Sequence, residues 1–223
     1  MLFDFHTHTI LSDGSLLPIE LIRRAVAQNH TAIAVTDHVS RSNLAMVVEA
    51  LVADCRLAEE HWDVRAIPGV ELTHLPPAAI PELAAEARQR GAQLVVVHGE
   101  TLVEPVLPGT NLAALRCPDV DILAHPGLLD VELAGLASRN NIFLELSARR
   151  GHCLSNGAVA AAAREAEASL LVNSDAHDPA DILTSDSARR VAVGAGLAEA
   201  EVEAALVGSS KKLLDKIDSR RAR

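Results

Sequence analysis

Parallel β-strands joined by crossover helices, closing toward a barrel, are the α/β fold class that this sequence predicts. Three observations carry the prediction. Short apolar runs recur at 2–5, 32–35, 64–70, 94–97, 121–124, 142–146 and 170–173. Stretches with helical spacing lie between most of them. Six of the ten histidines stand directly after these runs. Alternation of this kind is built from βα units, in a barrel or in an open doubly wound sheet. The count of seven runs favours closure.

The elements follow in order. Segment 18–28 opens on Pro18 at an early helical position and carries Ile19, Leu21, Ile22, Ala25 and Val26 on one side. Segments 43–60 and 81–90 repeat that spacing, and Gly91 is the stop signal after the second. The Ala-rich run 157–168 reads as a packed helix with Asn156 as its cap. Segment 179–223 reads as helices packed on the outside. No linker rich in Gly, Ser and Pro interrupts the chain. One domain over 1–223 is therefore expected, with the barrel ending near residue 178.

Composition narrows the function classes. With 49% hydrophobic and 22% charged residues, the 223-residue chain has the apolar surface for a sizeable core, which excludes global disorder. Aromatics are 2% with no Tyr, so the core is built from Ala, Leu, Val and Ile and a base-stacking platform is disfavoured. The formal net charge of −10 offers no global attraction to a phosphate backbone. An anionic ligand then needs a local positive centre. Cys55, Cys117 and Cys153 are far apart and form no CxxC pair, which disfavours a disulfide framework and points to the cytoplasm. No run of about 18 apolar residues exists to span a membrane. The first residues also lack the charge pattern of a cleaved signal.

The polar residues at the strand ends carry the chemistry. His6 and His8 follow the first run, His38 the second, His98 the fourth, His125 the fifth and His177 the seventh. Glu71 follows the third run, Glu145 lies in the sixth, and Asp37 and Asp175 accompany His38 and His177. In a parallel barrel all strand C-termini open on one face, so residues 170 positions apart converge there. Imidazoles and carboxylates are ligands for zinc, manganese or iron, and a carboxylate can bridge two ions. Elsewhere, His30 and His61 read as filler. Asp4 and Glu145 read either as structural groups or as carboxylates that orient an imidazole. Lys211, Lys212 and the basic residues of 220–223 read as a solvated helix end.

Read in order, Asp4-Phe5-His6-Thr7-His8-Thr9, Ser12-Asp13-Gly14, Thr36-Asp37-His38, Gly69-Val70-Glu71, His98-Gly99, Ala124-His125-Pro126-Gly127 and Ser174-Asp175-Ala176-His177 resemble the PHP (polymerase and histidinol phosphatase) family. The likeness runs from residue 2 to about residue 207. It is nearest to small stand-alone histidinol-phosphatase-like proteins. The resemblance implies a distorted, TIM-like (β/α)7 barrel with a trinuclear metal site at the C-terminal ends of its strands. By that resemblance the first ion takes His6, His8, Glu71 and Asp175. Glu71 bridges to a second ion on His98 and His125, and a third takes Asp13, His38 and His177. The implied activity is phosphoester hydrolysis by a hydroxide generated at the metals.

A charge count points the same way. Three divalent ions bring +6; Asp13, Glu71, Asp175 and one hydroxide remove four charges and leave +2, which a phosphate monoester dianion neutralises. Histidinol phosphate is the first candidate substrate. Asp175, His177 and His152 are candidates for assisting the leaving group. Arg149 and Arg150 are candidate phosphate contacts, because a guanidinium can grip phosphate bidentately. The expected partner is a small phosphorylated molecule, with nucleic acid disfavoured and the oligomeric state open. The alternatives are a nucleotide phosphatase or 3′–5′ nuclease of the same chemistry, a metal amidohydrolase, and a non-catalytic metal-binding regulatory module.

Overall fold

A computed structural model describes residues 1–221. Its strands are β1 (Phe3–Asp4), β2 (Ala32–Val35), β3 (His38–Val39), β4 (Arg65–Leu72), β5 (Leu94–His98), β6 (Ile122–Ala124), β7 (Phe143–Ser147) and β8 (Leu170–Asn173). The helices are α1 (Pro18–Ala27), α2 (Leu44–His61), α3 (Ile80–Arg90), α4 (Thr110–Arg116), α5 (Val131–Asn140), α6 (Asn156–Glu165), α7 (Ser185–Gly194), α8 (Glu199–Glu203) and α9 (Ser209–Arg221). A π-helical turn, Ala204–Gly208, joins the last two.

The sheet runs β1-β2-β4-β5-β6-β7-β8, all parallel, with the short β3 paired to β4. It nearly closes. Beyond the ends of β1 and β8, Thr7 bridges Ala176, the His8 N–H donates to the Ala176 carbonyl at 2.8 Å, and the Asp175 N–H donates to the His6 carbonyl at 2.9 Å. All seven apolar runs are strands, so the barrel reading holds over the open sheet. The extra strand β3 carries too few residues for an apolar signal; it exists because His38 and Val39 find partners at Glu71 and Leu72.

Period-two alternation splits the core in two. Ile33, Val35, Val95, Val97, Leu123, Leu144 and Leu146 pack outward against the helices. Ala32, Ala34, Ile67, Leu94, Val96, Ile122 and Leu171 fill the interior, together with Phe3, Phe5 and Phe143. These three are all the phenylalanines of the chain. Few large rings are available, and they go where a closed sheet must fill a wide space.

Helix α9 does more than lie on the outside. Its Leu213 and Ile217 enter the interior cluster. Lys216 and Arg220 reach Asp121, just before β6, at 3.0 and 2.7 Å, and Arg88 also pairs with that carboxylate. Asp218 pairs with Arg65 at the start of β4. All these contacts sit at strand N-termini, so α9 stoppers the lower end of the barrel and the opposite end is left for chemistry. Arg220 is thus a structural ion pair rather than part of a solvated tail; residue 223 lies outside the described residues. Among the described residues no helix is long and apolar enough to cross a membrane.

Gly91 ends α3 with φ +111°, as a left-handed stop requires. Asn156 is not a cap but the first residue of α6. Its side chain accepts from the Ser147 N–H and donates to the Ser147 carbonyl, clamping the helix to the end of β7.

Candidate metal centre

Strand ends present the expected side chains on one face. His6 and His8 alternate with Thr7, whose hydroxyl donates to the Ala34 carbonyl at 2.7 Å. Both imidazoles therefore enter the centre, their ring centroids 4.9 Å apart. Asp37 does not touch an imidazole of this pair. It accepts from the Thr9 N–H, the Thr9 hydroxyl and the Ser12 hydroxyl, all within 2.7 Å, and so shapes the loop that presents Asp13. The next residue must be glycine, because a Cβ on Gly14 would lie 2.4 Å from the His8 carbonyl oxygen. Asp4 also serves the backbone, accepting from the Ser174 N–H at 3.0 Å.

Glu71 is the hub. Its Oε2 lies 3.3 Å from His6 Nε2, 3.7 Å from His8 Nε2 and 2.7 Å from His38 Nδ1, and its Oε1 lies 3.4 Å from His125 Nε2. Asp175 faces the same space, with Oδ1 3.3 Å from His8 Nε2 and Oδ2 3.8 Å from His125 Nε2. Asp13 closes the near side, 3.1 Å from His177 Nε2 and 3.5 Å from His38 Nε2. Potential ligand atoms fall into groups within 4.8 Å: His8, Asp13, His38, His177; His6, His8, Asp175; His6, Glu71, His125; and His98, His125, His152. The nine residues expected as ligands thus lie together. The grouping differs from the expected sets: His98 falls with His125 and His152 rather than with Glu71, and His8 also joins Asp13, His38 and His177.

The donors fit metal ions better than they fit one another. His6 Nε2, both His8 nitrogens, His125 Nδ1 and both Glu71 oxygens are buried without an aligned hydrogen bond, although several lie within 3.7 Å of an opposite partner. Buried polar atoms that make no hydrogen bond cost about 1–3 kcal/mol each. Lone pairs that converge without donor-to-acceptor alignment are what a shared cation relieves. Burial would lower His6, but the Glu145, Glu71 and Asp175 carboxylates raise it well above its ordinary value. Burial pushes His8 down to about 3, leaving a neutral imidazole. Burial would raise Glu71 and Asp175, but the surrounding imidazoles, His6 foremost, hold both well below the usual carboxylate range. Backbone strain gathers here too: His125 has φ +27° and Asp175 φ +54°. Non-glycine residues in that region cost about 1–3 kcal/mol and persist at sites whose surroundings enforce them.

Supporting groups separate into those that sequence reasoning named and those it did not. Glu145 is a buried acceptor for His6 Nδ1 at 2.7 Å and for Asn173 Nδ2 at 3.0 Å, so it orients an imidazole. His152, buried, holds Nδ1 2.9 Å from Asp175. Arg149 Nη1 lies 2.7 Å from His177 Nδ1 and 3.3 Å from the Asp175 carbonyl oxygen. Arg149, exposed Arg150 and Arg190 of α7 line a cavity of about 750 Å³ that reaches Ser174. Glu104 was not foreseen. It lies 3.1 Å from each of His74, His98 and His152, on the loop after β5. The only sequence signal was an acid following the His98 strand, and Glu100 carries that signal equally. Glu100 instead caps the loop base, accepting from the Gly109 and Asn111 N–H groups.

Known proteins share this plan. The PHP domain model matches residues 4–107. An uncharacterized protein of Methanocaldococcus jannaschii is 48% identical over 97% of this chain and its own whole length. The 5′-3′ exoribonuclease Rnm of Escherichia coli is 28% identical over 67% of this chain, which spans 55% of that protein. Among solved structures, histidinol phosphate phosphatase of Lactococcus lactis, complexed with zinc, L-histidinol and phosphate, superposes with a TM-score of 0.64 at 14% identity, covering 88% of this chain and 94% of the other. With barrel, strand-end histidines and family match in agreement, the chain belongs to the PHP family.

Proposed function

We propose that the chain hydrolyses a small phosphate monoester at a centre of three divalent ions, with histidinol phosphate as the first substrate to test. The PHP family is one of metal-dependent phosphoesterases. The observation that carries it is the convergence of nine ionisable donors at one barrel end, beside a cavity lined by Arg149, Arg150 and Arg190.

In this reading His6, His8 and Asp175 hold the first ion, and His98 and His125 the second, with Glu71 shared between the two. Asp13, His38 and His177 hold the third. The donor set suits zinc, manganese or iron. Such ions, when bound, acidify water and polarise phosphoryl oxygens. The chain's own groups do the rest. Glu145 fixes the ring of His6, and Arg149 offers its guanidinium to the phosphoryl group at the His177 side, with Arg150 and Arg190 adding positive charge in the neighbouring cavity. Of the three groups considered for the leaving oxygen, Asp175 and His177 are absorbed in ion holding. His152 is therefore assigned to deliver the proton. Burial lowers its proton affinity, but the neighbouring Asp175 and Glu104 carboxylates raise it overall.

Elemental analysis of protein purified without chelator, combined with a panel of phosphomonoesters, tests the proposal. About three ions per chain and turnover of one small phosphate are the expected results. Absence of bound metal together with no turnover on the panel defeats it. A nuclease reading is favoured by the 28% identity to an exoribonuclease. It predicts oligonucleotide cleavage that weakens steeply with salt, whereas a small monoester predicts little salt dependence.

A further inference from the structure

The loop at residues 99–109, between β5 and α4, is anchored at its base and reaches over the centre at its middle. Glu100 Oε1 accepts from the N–H groups of Gly109 at 3.0 Å and Asn111 at 2.9 Å. Asn111 in turn accepts from the Glu100 N–H at 3.0 Å and donates to the Pro126 carbonyl at 2.8 Å, next to His125. The loop's entry and exit are thereby tied to the end of β6. On the far side Val103 packs against Gly151, where an added Cβ would meet the valine at 3.3 Å. Between these two anchors the chain holds Glu104 half-buried among exposed neighbours, its carboxylate turned inward to three imidazoles.

His98 is the residue that decides what Glu104 does. Its Nδ1 is 3.2 Å from the Gly99 carbonyl oxygen, which commits that nitrogen as a donor. One lone pair remains, on Nε2, so His98 can serve a single ion. Glu104 Oε2 lies 3.1 Å from that nitrogen. His74, His98 and Glu104 also bring their ligand atoms within 4.8 Å of one another. His74 holds its position with φ +51°, a left-handed conformation that a histidine adopts at a cost. A carboxylate oxygen at that spacing from the only free nitrogen of His98 can share whatever cation His98 binds.

Resting on the reading of a metal-dependent centre, we propose that the loop after β5 supplies Glu104 as an additional protein ligand to the ion on His98, with His74 as the outermost imidazole of that site. The centre is then built from ten donors besides His74, and the second ion, like the third with Asp13, depends on a loop as well as on strand ends.

Zinc titration of the metal-stripped protein in competition with a chromophoric chelator tests this without reference to turnover. In wild type, three binding steps are expected. Glu104→Gln keeps the size of the side chain and its packing on the loop but removes the anionic oxygen. It should weaken one step by more than about tenfold and leave the others unchanged. Glu104→Asp should restore part of that loss, and His74→Ala should weaken the same step by a smaller factor. If Glu104→Gln binds all its zinc with wild-type affinities, Glu104 is not a ligand and the inference is overturned while the metal centre stands. If wild type binds no zinc, the underlying reading falls with it.

Discussion

His6 donates its Nδ1 hydrogen to Glu145 at 2.7 Å, and both side chains are fully buried. The pairing fixes which nitrogen of His6 is free: Nε2 is turned to within 3.3 Å of Glu71. A carboxylate behind a metal-facing imidazole sets its tautomer and strengthens it as a ligand. Replacing Glu145 with Gln should lower the affinity for the ion on His6 by about 10–100-fold. Chelator competition measures this directly, and an unchanged dissociation constant would remove Glu145 from the site.

Glu71 touches donors of every neighbouring group, with its two oxygens divided between His38 at 2.7 Å and His125 at 3.4 Å. Shared ligands are lost jointly. Glu71→Ala should therefore drop the metal content by two ions together, and activity should vanish. Full metal content and full activity in that variant would contradict the bridging role.

Arg149 lies beside His177 and lines the arginine-bearing cavity, and in its proposed role it would meet the phosphoryl group and no ion. Arg149→Ala should raise KM or lower kcat for a phosphomonoester while the elemental analysis stays at the wild-type value. Arg150→Ala, at an exposed position, should give the smaller effect of the two. Steady-state kinetics of both variants that match wild type would exclude the clamp.

The lower end of the barrel makes a stability prediction. Asp121 is fully buried and receives Arg88, Lys216 and Arg220. Burial pushes its carboxyl up, but these three cations outweigh it and hold the group below its ordinary value. A depressed native pKa stabilises the fold above the unfolded pKa of about 4. That stability is lost as the pH falls through the native value. Asp121→Asn should therefore cost about 3 kcal/mol near neutral pH, the penalty of leaving partly buried cations unpaired. The gap to wild type should shrink as the solution is acidified below about pH 4. A gap that stays constant in denaturant melts at several pH values would show that the charge on Asp121 is not the source of the stability.

Removing the ions should loosen the whole upper end. Anything that binds only the native state stabilises it by mass action, and about 3 kcal/mol corresponds to a ligand at 100 times its dissociation constant. Chelation should lower Tm, and zinc or manganese added back should restore it. A Tm indifferent to both treatments would argue against a structural contribution from the centre.

The linear chain determined the strand rhythm and the kind of chemistry. Apolar runs four to seven residues long mark the strands, and a His or an acid just after nearly every run is a local signal that needs no contact to be read. His6, His8, His38, Glu71, His98, His125, Asp175 and His177 were legible on that basis, and Asp13 by its likeness to a family motif. Tertiary structure alone decided the rest, because the remaining roles depend on separations that no spacing encodes. Glu145 sits 139 positions from the imidazole it orients. Glu104 reaches His152 across 48 positions, from a loop whose composition resembles any other. Leu213 and Ile217 read as one face of an ordinary amphipathic helix, yet they seal the barrel because a closing sheet leaves an end to fill. Hydrophobic periodicity is a property of neighbours along the chain, whereas which carboxylate stands behind which ring is set only when the strands pair and the sheet curls shut.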